Sequence, residues 1–351
     1  MIGALVQLGG QAPVASSREI PETGPMHDGF GRRVEYLRIS VTDKCNLRCV
    51  YCMPEEGLPW LKREEILSYE EIASVVRTMA GMGLRKVRIT GGEPLVRRDL
   101  PRLVRLLRDV PQIEDIALST NAVLLEPLAA ELRDSGVNRL NVSLDSLRPD
   151  RIDAISRRSG TAEAIFRGLE EAERVGFSPL KLNCVVMRGR NHDEVADLAR
   201  ITRERPWHVR FIEVMPTGDN LGVSRDEYVS SGEILTRIAE IGELRPVAGP
   251  PGNGPATYFA FPGAPGSVGV ITPMSHNYCD RCNRMRLTAD GQLRPCLFGA
   301  LQTDLRGPLR RGEPLEPLVR DTLRIKPERH WLVQGSEAGS GGLRALSEVG
   351  G

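Results

Sequence analysis

YLRISVTDKCNLRCVYC (36–52) runs a strand-like segment into three cysteines, Cys45, Cys49 and Cys52, in a C-x3-C-x2-C spacing. YLRISVT reads as a strand, and in barrel folds the active site collects at the carboxyl ends of the strands. Outward from here, strand and helix patterns alternate. Ser68 with Glu71 three residues later makes a capping box that opens a helix, which Gly81 and Gly83 close. KVRIT is the next strand. A helix near 98–109, the strand IEDIALST, a helix near 125–134 and the strand NRLNVSL come after it. Two helical stretches between 150 and 175 lead to LKLNCVVM, and a helix over about 192–203 leads to HVRFIEVM. Six strand-helix units of this size predict an α/β fold with a parallel sheet, wound as an open or partial barrel. The most unusual residues fall at strand ends: Cys45 after the first, GGEP (91–94) after the second, Ser119 to Asn121 after the third, Ser143 to Asp145 after the fourth, and Met215 after the sixth.

Composition limits the function. A chain of 351 residues, 40% of them hydrophobic, can bury one large core with a smaller one beside it. A formal charge of +1 and 5% aromatic residues argue against a nucleic-acid binder, so any basic site is local. No apolar run approaches a membrane span. The first residues lack the charged region of a signal peptide, and residues 1–30 read as a disordered extension. The cysteines are then expected in a reducing cytoplasm, where clustered thiols serve metals or redox chemistry. Beyond about residue 245, AGPPGNGP and FPGAPGS are loop-rich. The expected division is a barrel over 31–245 and a smaller domain over 246–351.

Two groups of three cysteines carry the chemistry. No histidine lies near Cys45, Cys49 or Cys52, whereas zinc sites usually take four Cys or His ligands. Three thiolates suit a [4Fe–4S] cube with one open iron, with a zinc knuckle completed from elsewhere as the alternative. Cys279, Cys282 and Cys296 form the second group, where His276 would complete a Cys3His zinc site. Arg284 and Arg286 stand beside it. Their planar forks suit phosphate or carbonyl oxygens, though a solvated strand face is the commoner fate of arginine. Gly91 and Gly92 allow backbone to approach a ligand closely. Cys184, inside LNCVVM, reads as a buried thiol.

The chain resembles the GTP 3',8-cyclase family of the radical S-adenosylmethionine (SAM) superfamily from about Arg32 to the end. The motifs that carry this are LRISVTDKCNLRCVYCMP, KVRITGGEPLVRRDL, LNVSLDSL, RFIEVMPTG, CNRMRLTADGQLRPCLF and a final Gly-Gly. The resemblance implies an incomplete (β/α)6 TIM-type barrel with a smaller C-terminal domain, two [4Fe–4S] clusters and SAM. It implies that Cys45, Cys49 and Cys52 ligate the cluster that cleaves SAM, with Tyr51, Gly92, Ser143 and Met215 contacting SAM. Cys279, Cys282 and Cys296 would ligate the second cluster, whose open iron holds guanine. Arg38, Arg88, Ser119, Lys181, Arg284, Met285 and Arg286 would surround GTP, and Arg284, Arg286, Gly350 and Gly351 would support the reaction. A deoxyadenosyl radical would take the ribose 3' hydrogen, and the sugar radical would attack C8. Further implied are a reductant such as flavodoxin or ferredoxin, delivery of product to cyclic pyranopterin monophosphate synthase, and a homodimer. Ser119 and Ala122 depart from the threonine and glycine usual in the family, and Lys181 is unexpected because it begins its strand.

Overall fold

The computed structural model describes residues 20–215, 223–252, 254–330 and 344–350. Six strands, β1 (Tyr36–Ser40), β2 (Lys86–Thr90), β3 (Asp115–Thr120), β4 (Arg139–Ser143), β5 (Leu180–Val186) and β6 (Trp207–Glu213), pair in sequence order and in parallel. The helices between them are α1 (Tyr69–Gly81), α2 (Leu100–Arg108), α3 (Ala129–Ser135), α4 (Pro149–Ser156), α5 (Ala162–Arg174) and α6 (Val195–Glu204). The capping box forms as expected: Glu71 N–H donates to Ser68 Oγ at 3.1 Å, and Ser68 N–H to Glu71 Oε2 at 2.6 Å. Gly83, at φ +101°, turns the chain after α1.

Side chains alternate across each strand. One parity is apolar: Leu37, Ile39, Val87, Ile89, Leu118, Leu140, Val142, Leu182, Val209 and Phe211 all belong to the hydrophobic core. The opposite parity carries Arg38, Arg88, Asn141, Lys181 and Arg210, and lines the concave interior.

The region after 245, expected as a smaller C-terminal domain, supplies strands that continue the same sheet. They are β7 (Arg245–Pro246), β8 (Thr257–Ala260), β9 (Ser267–Ile271), β10 (Arg284–Leu287), β11 (Gln292–Arg294) and β12 (Thr303–Asp304). The strand order is β12, β11, β10, β1, β2, β3, β4, β5, β6, β9, β8, β7. β9 pairs in parallel with β6, and β10 in parallel with β1. A six-stranded parallel sheet ends on two rows of unpaired backbone groups, and this region covers both.

The expected disordered extension is corrected for residues 20–30. Met26 is fully buried, exchanges backbone hydrogen bonds with Met82 and Val34, and Asp28 is 2% exposed. The remainder of that extension lies outside the described residues. Among the described residues, no helix is long and apolar enough to cross a membrane.

Candidate active site

The loop after β1 brings Cys45, Cys49 and Cys52 to one cavity, shared with Tyr51, Gly91, Gly92, Ser119, Ser143 and Asp145. All three thiols are free. Burial pushes Cys45 up to about 11 and Cys52 to about 12; Cys49 rises well above its ordinary value through burial and then through the neighbouring Cys52. Such thiols bind metal by giving up protons, so iron binding here releases them. Tyr51 donates its hydroxyl to Asp145 Oδ2 at 2.7 Å, and Val185 N–H donates to Asp145 Oδ1 at 2.8 Å. Tyr51, Gly92 and Ser143, expected to contact SAM, line the same cavity as the first cysteine group. Met215 lies two residues past β6 and outside this lining.

The glycine pair, which lines the cavity, also packs closely on the cysteine loop. A Cβ on Gly91 would sit 2.6 Å from Thr42 O, and one on Gly92 would sit 2.3 Å from Lys44 O. Gly92 N–H donates to Thr42 O at 2.7 Å, and Glu93 N–H to Lys44 O at 2.9 Å. The close approach is thus to the cysteine loop's own backbone. Gly92→Ala must push that loop away, at a cost of about 1–3 kcal/mol. Thermal unfolding should register this loss, and iron counts should fall at the first cysteine group alone.

Glu93 extends the same joint to β3. Its carboxylate accepts from Thr120 Oγ1 (2.8 Å), Asn121 N–H (2.7 Å) and Leu95 N–H (3.1 Å), and it is 1% exposed. Burial outweighs these donors and raises its pKa from 4.5 to about 7; Asp145 is likewise raised by burial to about 6. The folded protein therefore keeps these protons to higher pH than the unfolded chain. Their stabilising contribution is complete below the unfolded values, falls as pH rises above 3.8 and 4.5, and is gone once pH has passed through about 6 for Asp145 and about 7 for Glu93. For Glu93 the loss is about 3 kcal/mol at 1.36 kcal/mol per unit. Denaturant unfolding of the metal-free protein across this window should show the decline, and Glu93→Gln should flatten it. A slope unchanged in that variant would acquit Glu93.

The second cysteine group lies at the other end of the same two strands. Cys45 follows the carboxyl end of β1, whereas Cys279 and Cys282 precede the amino end of β10, its parallel neighbour. The two groups are thus about one strand length apart, roughly 15 Å at 3.3 Å per residue. Cys296 returns on the chain after β11, beside Arg284. Burial raises Cys282, but the Lys326 ammonium and the Arg284 guanidinium outweigh it and bring the thiol down to about 7. His276, which would complete a zinc site, is exposed and turned to Ser275 Oγ at 3.2 Å. Among the described residues, no three His, Cys, Asp or Glu side chains converge on a single ion. Thiolates that each bind a different iron of a cube need not converge. Cys45, Cys49 and Cys52 line one cavity; burial raises the Cys279 thiol, and Cys296 and Cys282 lie close enough for their charges to raise it further, so both sets are grouped as a cube needs.

Between the two groups the interior is crowded with buried cations. Arg38, Arg88 and Arg286 lie in register across β2, β1 and β10. Arg88, Arg139, Lys181, Arg210 and Arg286 are each less than a tenth exposed. Lys181 is no solvated strand end: burial, then Arg210 and Arg139, lower it to about 6. Burial lowers Arg210 and Arg286 to about 10, each further opposed by a neighbouring arginine. One carboxylate, Asp115, pairs with Arg139 here. The Nε atoms of Arg88, Arg210 and Arg284 are buried without a hydrogen-bond partner among the described residues. Such a cluster is complementary to a polyanion.

Met285, expected beside GTP, lies between Arg284 and Arg286 on β10, so strand alternation turns its side chain to the apolar face, where it is fully buried in the core. Its side chain cannot meet a ligand in the interior. Cys184 is a core thiol as expected, 1% exposed.

The chain end enters the space between the cysteine groups. Arg344 pairs with Asp290 at 3.2 Å, α7 to α9 having intervened at Ser231–Ala239, Arg306–Arg310 and Glu316–Arg324. Helix α10 (Leu346–Val349) follows, and Leu346 and Ser347 line the first cavity. Gly350 O then accepts from Arg38 Nε at 3.1 Å and from Arg286 Nη1, which also reaches Val349 O at 3.1 Å. Gly350 has φ +70°, and a Cβ there would come within 2.6 Å of Thr90. Gly351 and the GSGG segment (339–342) lie outside the described residues.

The model of the Radical SAM superfamily matches residues 39–201, and that of Molybdenum Cofactor Synthesis C matches 207–332. GTP 3',8-cyclase of Pelotomaculum thermopropionicum is 48% identical over 330 residues, 93% of this chain and 100% of the relative. The chain belongs to the GTP 3',8-cyclase family. The GTP 3',8-cyclase of Moorella thermoacetica is 46% identical over 93% of this chain and 100% of its own. The solved structure of Streptococcus suis SuiB bound to S-adenosylmethionine shares the fold, with a TM-score of 0.59 at 14% identity over 82% of this chain and 68% of that one. As a radical SAM member, this cyclase-family chain takes a [4Fe–4S] cluster and SAM.

Sequence reasoning missed Arg139 and Arg210, and marked Glu93 and Asp145 only as members of the strand-end segments GGEP and Ser143 to Asp145, with no role of their own. A signal existed for Arg210: an arginine flanked by Val209, Phe211 and Ile212 within a parallel strand.

Proposed function

We propose that this chain converts GTP to (8S)-3',8-cyclo-7,8-dihydroguanosine 5'-triphosphate, the first step of molybdenum cofactor biosynthesis. The observation that carries the reading is the buried cationic interior set between two three-cysteine groups. When bound on Cys45, Cys49 and Cys52, the cluster supplies the electron that cleaves SAM. Tyr51, fixed by Asp145, and the Gly91–Gly92 turn wall the SAM side of the cavity. Arg88, Lys181 and Arg210 hold the triphosphate through charge-assisted hydrogen bonds, which the unpaired Nε atoms of Arg88 and Arg210 stand ready to make. Cys279, Cys282 and Cys296 hold the second cluster, and with Arg284 they fix the guanine end. Gly350 O keeps Arg38 and Arg286 extended towards the nucleotide. A reaction that joins C3' to C8 of one molecule needs both ends of that molecule held, and this arrangement does so.

Arg210→Met tests the phosphate assignment. Removing a charged hydrogen-bond donor costs about 1.5–3 kcal/mol, so calorimetry should show GTP binding at least tenfold weaker, with uncoupled SAM cleavage retained. Unchanged GTP affinity would discard the assignment.

A further inference from the structure

Lys326, just past α9, is 3% exposed. Its ammonium donates to Pro295 O at 2.7 Å and Arg284 O at 2.9 Å, and approaches Cys282 Sγ at 3.6 Å. None of the three is a carboxylate. A buried ammonium surrounded only by neutral dipoles costs several kcal/mol. Among its described partners, the one able to become an anion is the cysteine.

The chain around Lys326 is pinned to the same site from outside. Arg32 donates to Cys279 O at 2.6 Å, Pro327 O at 2.6 Å and Glu328 O at 2.7 Å, while its Nε pairs with buried Asp28 at 2.6 Å. The ring of His330 packs on Phe298, two residues past Cys296, with centroids 4.7 Å apart. Residues 326–330 are therefore a strap over all three cysteines, and Lys326 is its inward-pointing charge.

We infer that Lys326 is a positioning residue for the second cluster: it clamps the Cys282 and Cys296 segments together and, by its charge and its N–H···S contact, sets the cluster's reduction potential. This rests on reading Cys279, Cys282 and Cys296 as [4Fe–4S] ligands. Three thiolates on an oxidised cube leave a net negative charge, and reduction adds another, so a fixed ammonium favours the reduced state. Its removal lowers the potential.

The test uses full-length protein reconstituted anaerobically as wild type, Lys326→Met and Lys326→Arg. Iron content and a redox titration followed by electron paramagnetic resonance are the readouts, and added SAM identifies the first cluster by perturbing its signal. Lys326→Met is expected to make reduction of the second cluster at least tenfold less favourable, about 59 mV for one electron, or to lose that cluster's iron. Lys326→Arg, which restores the charge, is expected to recover most of either loss. A Met variant with full iron and an unshifted potential overturns the inference. So does an Arg variant as damaged as the Met one, which would reduce Lys326 to packing. Wild-type protein holding iron only at the first group would remove the second-cluster reading and this inference with it, a result distinct from either of those.

Discussion

Cys49→Ser should abolish SAM cleavage altogether and remove about half of the iron from reconstituted protein, because it breaks one of two three-thiolate sites. Cys279→Ser should remove the other half yet leave SAM cleavage measurable, since its group lies at the opposite end of β1 and β10. The contrast between the two variants is what matters. Cys184→Ser is the control: that thiol is buried in the core, bonds to Asp145 O at 3.6 Å and is not part of the lining of the first cavity. Iron analysis and 5'-deoxyadenosine formation decide the matter. Loss of iron with Cys184→Ser, or equal loss of SAM cleavage with Cys279→Ser, would contradict the division of roles.

The second large effect belongs to the chain end. Gly350 O is the acceptor that holds both Arg38 and Arg286, and no side chain fits at Gly350 without striking Thr90. Deleting Gly350 and Gly351 should therefore leave both clusters and SAM cleavage intact while cyclised product falls by on the order of a hundredfold, the cost of misplacing reacting groups by about an ångström. A free peptide of the terminal segment should restore part of the product at high concentration, because the covalent tether's effective concentration has been lost. Product formed at the full-length rate by the truncated enzyme would show the tail to be dispensable.

Much of this was legible before any coordinates. YLRISVT and KVRIT read as strands, the helices between the strands marked the sheet as parallel, and the cysteines and GGEP marked the strands' carboxyl ends as the reactive end. The Ser68 and Glu71 cap was read correctly because a capping box is local chemistry. What escaped was non-local. The pairing of β10 with β1 joins segments far apart in the chain, and nothing within either segment announces it. Alternation separates Arg284 and Arg286 from Met285 but does not say which parity faces the interior, so Met285 was grouped with its neighbours. Lys181 looked misplaced at the start of its strand, yet the interior is deep enough to bury it beside Arg139 and Arg210. Gly91 and Gly92 were read as making room for a ligand, and make room first for the cysteine loop. Met26 and Asp28 gave no periodic signal, since their partners are single backbone groups and a neighbouring arginine.

The central claim is that a hydrogen is taken from C3' of GTP bound between the two cysteine groups. Its most direct measurement supplies GTP deuterated at C3' to the anaerobically reconstituted protein with SAM and a chemical reductant, then follows the deuterium by mass spectrometry. The expected result is deuterium in 5'-deoxyadenosine, matched by a cyclised nucleotide that has lost it. Unlabelled 5'-deoxyadenosine with GTP recovered unchanged would contradict the account.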